Sequence, residues 1–405
     1  MRESSLDNGV RVVTERVPGV RSAAVGVWVR QGSAHEPKEL GGVSHFLEHL
    51  VFKGTARRSA HEIALSLESL GGSLDAYTTR EYTTYQALVL DDHLGIALDV
   101  LADLVLHPRL EADDLELERH VVLEEIAGVE DTPDDLVFDL HGSRFWKGHG
   151  YGRPILGTRD TVNSFEVGDL RRVHEERYGG RNILVGCAGN IEHDHIVDSV
   201  TALFGDAPAG LPVPDVEVPN GTRVGHDAVP RSTTQTHLVL GRATPAYADP
   251  IRVVLGLISG AFGGGMSSRL FQKIREELGL AYAIFSFQTF YSRAGSAGVY
   301  VGTRPETADR TLETILSEYR SLCESSLSQQ ELDQAKSQAS GQLVLAMEST
   351  PARLLRAMGF ALRGEPYRSL DDSLGRIESV TMEQVTSACR RYFSPEDQYV
   401  LSLGP

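Results

Sequence analysis

Two stretches of this chain repeat one another at a nearly fixed distance. Ser22-Ala-Ala-Val-Gly-Val-Trp-Val29 reads as a strand opening one half, and Thr234-Gln-Thr-His-Leu-Val-Leu240 opens a second half 234 − 22 = 212 residues later. The halves also close alike. Arg177-Tyr178 runs into an apolar strand at 183–188, and Arg391-Tyr392 runs into another at 399–403, an offset of 392 − 178 = 214. A constant offset at both ends predicts a duplicated domain, each copy large enough to build its own core. Domains usually hold roughly 50 to 250 residues, so a chain of 405 accommodates two. Between Phe204 and Thr233 the chain turns rich in Pro and Gly and loses regular periodicity, which predicts a linker over 207–232 between domains at 1–206 and 233–405. Strand patterns at 82–90 and 281–289 alternate with helical ones, so each half is expected to be an α+β sandwich of sheet and helices.

The chemistry concentrates in Gly42-Val43-Ser44-His45-Phe46-Leu47-Glu48-His49-Leu50-Val51-Phe52. Placed on a helix, Val43, Phe46, Leu47 and Leu50 fall on one side, while His45, Glu48 and His49 share the other. Two histidines four residues apart project the same way one turn apart, so both imidazoles reach one ion, and Zn²⁺ suits such a pair. A carboxylate beside them is placed to take a proton from a water whose pKa the metal lowers to about 7. The order is that of an inverted His-Glu-x-x-His metalloprotease motif. A chance His-x-x-Glu-His arises about 0.04 times in a chain of this composition, which favours the functional reading.

A catalytic zinc site needs a third protein ligand and an open position. Residues 115–129 alternate acid and apolar residues at helical period; Leu115, Val121, Val122, Ile126 and Val129 define the inward arc, with Glu118 and Glu125 inside it. Glu116, Glu124 and Glu130 fall outside and read as a solvated face. A carboxylate aimed at an apolar interior requires a partner, and a cation there would supply one to Glu118 or Glu125.

These residues resemble the pitrilysin and insulinase family of metallopeptidases, in the short processing-peptidase branch that includes bacterial homodimers. The resemblance rests on residues 41–55 around the motif, on Val121-Val122-Leu123-Glu124-Glu125-Ile126, and on the spacing 125 − 49 = 76 between His49 and Glu125. It implies the mitochondrial-processing-peptidase-like, LuxS-like metallohydrolase fold, one zinc ion per chain held by His45, His49 and Glu125, and Glu48 as general base. Glu118 is then expected to hold a ligand in orientation. Positions displaced by 212 from the motif are Leu257, Gly260 and Ala261, so the second half carries no such site and is expected to bind substrate. By the same resemblance Arg275 contacts peptide carbonyls and Tyr282 donates to the developing oxyanion. The strand Asp75-Ala76-Tyr77-Thr78 is expected to take the peptide by backbone pairing, with Asp75 standing where the family usually has Asn.

The implied activity is that of a zinc endopeptidase acting on peptides or unfolded segments in an enclosed chamber, with a homodimer partner completing the site. A restricted peptide-binding or processing subunit that needs a partner is the alternative, and a zinc enzyme acting on small molecules is a more distant one. A formal charge of −17 argues against nucleic acid or an anionic membrane as the main partner. No apolar run reaches the roughly 18 to 20 residues of a membrane span. Three scattered cysteines, Cys187, Cys323 and Cys389, fit reduced thiols in a cytoplasm and read as buried small residues. His61 follows a capping box from Ser59 to Glu62 and is expected to be exposed.

Overall fold

A computed structural model describes residues 1–405. Eleven strands form two sheets. In the first half they are β1 (Arg2–Ser5), β2 (Arg11–Arg16), β3 (Ser22–Val29), β4 (Ser73–Thr78), β5 (Thr83–Leu90) and β6 (Ile183–Gly189). In the second they are β7 (Gly225–Pro230), β8 (Thr236–Thr244), β9 (Ala281–Phe290), β10 (Gly295–Thr303) and β11 (Tyr399–Gly404). The spatial orders are β1-β2-β6-β3-β5-β4 and β7-β11-β8-β10-β9. Without the added β1 the two sheets are the same. Each has one parallel pair, β2 with β6 and β7 with β11, and is antiparallel elsewhere. The expected duplication is thus present as repeated topology. The stretch read as a linker contains one strand, β7, whose polar sequence His226-Asp227 gives no apolar alternation; its parallel pairing with β11 holds it instead.

The chain forms two compact units, each drawn from three segments: 1–127, 153–215 and 345–367 in one, and 128–152, 216–344 and 368–405 in the other. Unit 1 therefore contains a helix from late in the chain, and unit 2 contains one from early in it.

In unit 1 the helices that matter for the site are α1 (Val43–Val51), α2 (Leu94–Leu106) and α3 (Ala112–Asp131), the last of which runs on past the unit boundary. Strand β3 is buried on both faces, which explains its nearly continuous apolar sequence. Val25, Val27 and Val29 join Phe46, Leu47 and Leu50 of α1 and Leu98 and Leu101 of α2 in the main core. Ala24 and Trp28 face the other way, with Val13, Leu184 and Ala188, onto a helix from residues 350–362.

Unit 2 holds α4 (Pro133–Phe145), α5 (Ile251–Gly263), α6 (Ala308–Ser325) and α7 (Gln329–Ala346). Its core gathers Leu238 and Leu240 of β8, Leu255 and Ile258 of α5 and Ile315 and Tyr319 of α6. The opposite sheet face meets α4, where the His141 ring lies so close to Gly241 that a Cβ there would stand 2.6 Å from its Cε1. The helix on unit 1's second face, α8 (Thr350–Leu362), lies against a glycine in the same way: a Cβ on Gly186 would stand 2.6 Å from Met358 Sδ. A glycine in each sheet lowers the surface so that a crossing helix can pack closely. Buried Glu15 reaches Arg353 at 2.7 Å and fastens α8 to β2.

No helix is long and apolar enough to cross a membrane. Cys187 and Cys389 are buried as expected, whereas Cys323 is only partly so, its Sγ lying 3.8 Å from the Arg390 carbonyl. Ser59 and Glu62 form the expected capping box, and His61 is exposed.

Candidate metal centre

The motif helix α1 starts where the chain can turn sharply and where a negative charge meets its first amides. Gly42 sits at φ 95, and a side chain there would collide with the Leu156 carbonyl 2.6 Å away. The Glu36 carboxylate, 3% exposed, accepts hydrogen bonds from the backbone N–H of Gly42 at 2.7 Å and of Ser44 at 2.8 Å. A carboxylate on the free N–H groups of a helix start satisfies donors that have no partner within the helix and complements the helix dipole. Burial pushes this carboxyl up from its usual range, against the opposing pull of those hydrogen bonds. Sequence reading missed Glu36, because it lies outside the Ser/Thr-x-x-Glu capping pattern and is brought to the helix by the short turns between.

Val43, Phe46, Leu47 and Leu50 are buried in the core, as the helical wheel predicted. The imidazoles of His45 and His49 stand on the other side with ring centroids 4.6 Å apart. Helix α3 brings Glu125 to them, with His45 Nε2 to Oε2 and His49 Nε2 to Oε1 both 3.5 Å. One donor atom from each of the three residues lies within 4.8 Å of the others. Bonds of about 2.0–2.1 Å at tetrahedral angles place zinc donors about 3.4 Å apart, so the two histidine-to-glutamate separations fit that ion. Glu125 is the most open of the three, its side chain 40% exposed against 11% for His45 and 18% for His49.

The electrostatics suit a cation. Burial, with His49 nearby, lowers the pKa of His45 to about 3, so its imidazole stays neutral and keeps a lone pair free. Burial also works to lower His49, but its hydrogen bond to Glu118 and the neighbouring Glu125 carboxylate outweigh it, and the net shift is upward. Glu118 Oε2 lies 2.9 Å from His49 Nδ1. An ionised carboxylate only accepts, so this contact puts a proton on Nδ1, and in the neutral imidazole Nε2 is the bare nitrogen, on the side of Glu125. Of the two inward carboxylates that the sequence left open, Glu118 thus meets the back of His49, while Glu125 meets both Nε2 atoms.

Glu48 is buried beside this group, and desolvation raises its pKa above the usual carboxylate value despite a stabilising hydrogen bond from Thr78. The Thr78 hydroxyl donates to Glu48 Oε2 at 2.5 Å, and Thr83 Oγ1, 3.2 Å from the Thr78 hydroxyl, donates to the Gln31 carbonyl at 2.9 Å. Thr78 was singled out as part of a strand; its hydroxyl also fixes one oxygen of Glu48. Residues on β4 alternate, so Leu74, Ala76 and Thr78 face α1 while Asp75 and Tyr77 face away. β4 is the last strand of its sheet and pairs on one side only, with β5. Asp75 is exposed and accepts from the Ala76 N–H at 3.0 Å.

One part of the wheel over α3 fails. Leu115, Val122 and Ile126 are buried, but Val121 is 40% exposed and Val129 only half-buried. The arc is narrower than read, since only about one side of α3 meets the core of unit 1.

Arg275 and Tyr282 lie in unit 2 and touch each other. The guanidinium lies 4.5 Å over the Tyr282 ring, and Nη1 donates to the Tyr282 carbonyl at 3.0 Å. Tyr282 is 76% exposed at the start of edge strand β9, so its hydroxyl is free to meet a ligand.

A family description, "Insulinase (Peptidase family M16)", matches residues 11–159, and "Peptidase M16 inactive domain" matches 164–339. The chain is 38% identical to YmxG of Bacillus subtilis over 100% of its length and 98% of that protein's. This chain belongs to peptidase family M16. A Streptomyces coelicolor protein is also 38% identical, over 96% of this chain and 86% of its own; both relatives are described as uncharacterized zinc proteases. Among solved structures, a Pseudomonas fluorescens M16 peptidase inactive domain aligns with a TM-score of 0.94 at 21% identity, covering 100% of this M16 chain and 97% of the other. A Helicobacter pylori protease aligns at 0.92 and 21%, covering 100% and 99%. These two likenesses support the fold of the M16 chain.

Proposed function

We propose that this M16 peptidase is a zinc-dependent endopeptidase in which His45, His49 and Glu125 hold one zinc ion and Glu48 is the general base. The observation that carries the reading is the convergence of two imidazole Nε2 atoms and a carboxylate beside a buried acid whose pKa is raised. Zinc bound there would polarise the scissile carbonyl and lower the pKa of a water to about 7.

The chain's own groups then divide the work. Thr78 occupies one oxygen of Glu48 and leaves Oε1 to take the proton of the attacking water and pass it to the leaving amine. Burial keeps this carboxyl nearer to neutrality than a surface glutamate, which suits a group that must both accept and release a proton. The open edge of β4, residues Asp75, Ala76, Tyr77 and Thr78, takes the substrate as an added strand, giving affinity with little demand on side chains. Arg275 binds peptide carbonyls and Tyr282 donates to the developing oxyanion. We place the enzyme in the cytoplasm as a homodimer whose subunits enclose a chamber, which admits peptides and unfolded segments.

The test is cleavage of quenched fluorescent peptides by zinc-loaded protein beside Glu48→Gln at matched zinc content. Loss of roughly 10²–10⁴-fold in kcat with zinc retained is expected for removal of a general base. Parent protein that holds zinc and cuts none of the panel would sink the self-sufficient peptidase in favour of a subunit that needs a partner.

A further inference from the structure

The proposed zinc site has a further member beyond its ligands and its base. Glu118 is 2% exposed, and its two oxygens face different partners. Oε2 meets His49 Nδ1 at 2.9 Å. Oε1 meets the Lys53 ammonium in a direct ion pair. Lys53 follows His49 by four residues, just past the end of α1, with its backbone N–H still bonded to the Leu50 carbonyl at 3.0 Å. It lies one turn along from His49 on the same side of the helix. Its side chain is 27% exposed, so its charge is partly withdrawn from water.

We propose that Lys53 is a positioning residue of the metal centre: its ammonium holds the buried Glu118 carboxylate against His49 and so fixes the imidazole that binds zinc. A buried carboxylate deprived of its counter-charge moves toward water or gives up its geometry, because desolvating an uncompensated charge is far costlier than desolvating a pair. Lys53 also extends a line of charge, ammonium to carboxylate to imidazole, ending at the metal position. Outer partners of this kind orient a ligand and raise its basicity, and losing one typically lowers metal affinity about 10–100-fold. A lysine that merely decorated the surface would instead pair with an exposed acid; here the acid is among the most buried in the unit. The inference rests on the proposed ligand set.

The experiment measures zinc affinity of the full chain by competition with a chromophoric chelator, with thermal unfolding of the metal-free protein alongside. Lys53→Met is expected to bind zinc about 10–100-fold more weakly, and Lys53→Arg to recover most of the loss. In a Glu118→Gln background Lys53→Met is expected to add little, because the group it acts through is gone. Parent-like affinity in Lys53→Met, or a loss that simply adds to that of Glu118→Gln, overturns the proposal. If Lys53→Met does not fold, the same comparison is made between Lys53→Arg and Lys53→Gln, and equal affinity in those two overturns it. His45→Ala separates the two levels: zinc bound as in the parent after that change defeats the ligand set itself, whereas zinc lost there but kept in Lys53→Met defeats only the role of Lys53.

Discussion

The two units share a sheet order and differ in what they set beside it. In unit 1, α1 and α3 bring His45, Glu48, His49 and Glu125 together. The corresponding places in unit 2 hold Leu257, Gly260 and Ala261 on α5, and Gln338 on α7 at 338 − 125 = 213. Leu257 is buried in the unit 2 core, and a cavity of about 280 Å³ opens nearby, lined by Gly256, Ser259, Gly260, Ser286, Gln338 and Gln342. Its lining is neutral. Ser259 donates to Ser286 Oγ at 2.9 Å, and Ser286 donates to the Ser259 carbonyl at 2.8 Å, so both hydroxyl protons have acceptors within the unit. The same scaffold carries a group able to hold a cation in one unit and a neutral lining in the other, and four side chains make the difference.

The widest separation is expected at the paired positions Glu125 and Gln338. Glu125→Gln removes one of three charged or basic donors and should lower zinc affinity by several orders of magnitude by chelator competition, while Gln338→Glu leaves it unchanged. Equal effects would dissolve the distinction between the units.

The two sheet glycines come next. Gly241→Ala drives a methyl into the rigid His141 ring and should cost about 1–3 kcal/mol in denaturant unfolding. Gly186→Ala meets chiefly the Met358 sulfur, which can swing aside, and should stay within about 1 kcal/mol of neutral. The opposite order would mean that α8 is held more rigidly than α4.

Thr78→Val should lower kcat about tenfold and move the acid limb of the pH profile. Burial raises Glu48 and the Thr78 hydrogen bond opposes it; without the donor the pKa rises further, so activity is lost at a higher pH as the solution is acidified. Thr78→Ser should restore the profile, and Ser286→Ala on the matching edge strand of unit 2 should not shift it. An unmoved limb in Thr78→Val removes Thr78 from the base.

The smallest effect lies in unit 2. Arg269 pairs with Glu331 through Nη2 at 2.7 Å and through Nε, and donates to the Ser326 carbonyl at 2.8 Å. The hydrogen bond from Arg269 lowers Glu331 from 4.5 to about 2. A depressed carboxyl stabilises the fold above its unfolded pKa, so this contribution is whole above 4.5 and disappears as pH falls toward 2. Discounted for solvent screening, Arg269→Met should cost about 1 kcal/mol at pH 7 and progressively less below pH 4.5. A cost independent of pH would assign Arg269 a packing role.

The sequence by itself determined the repeated architecture, the motif helix with its apolar and polar sides, and the absence of that motif from the second half. Those are local or periodic properties: helical spacing decides which residues share a face, and a constant offset survives whatever the loops do. It also narrowed the third donor to two carboxylates on one helix, because an acid on an apolar arc is costly without a partner.

Only the tertiary structure decided which of the two meets the Nε2 atoms, since Glu118 and Glu125 are separated by where α3 lies against α1 and not by their period. Glu36 at the start of α1 and the Thr78 hydroxyl on Glu48 act across turns or between elements, where spacing carries no signal; Lys53 stands at helical spacing from His49, but its partner Glu118 lies on another helix. The placing of α4 in unit 2 and α8 in unit 1 is of the same kind. An amphipathic helix specifies the kind of surface it needs, and which sheet supplies that surface is set by packing between segments far apart in the chain.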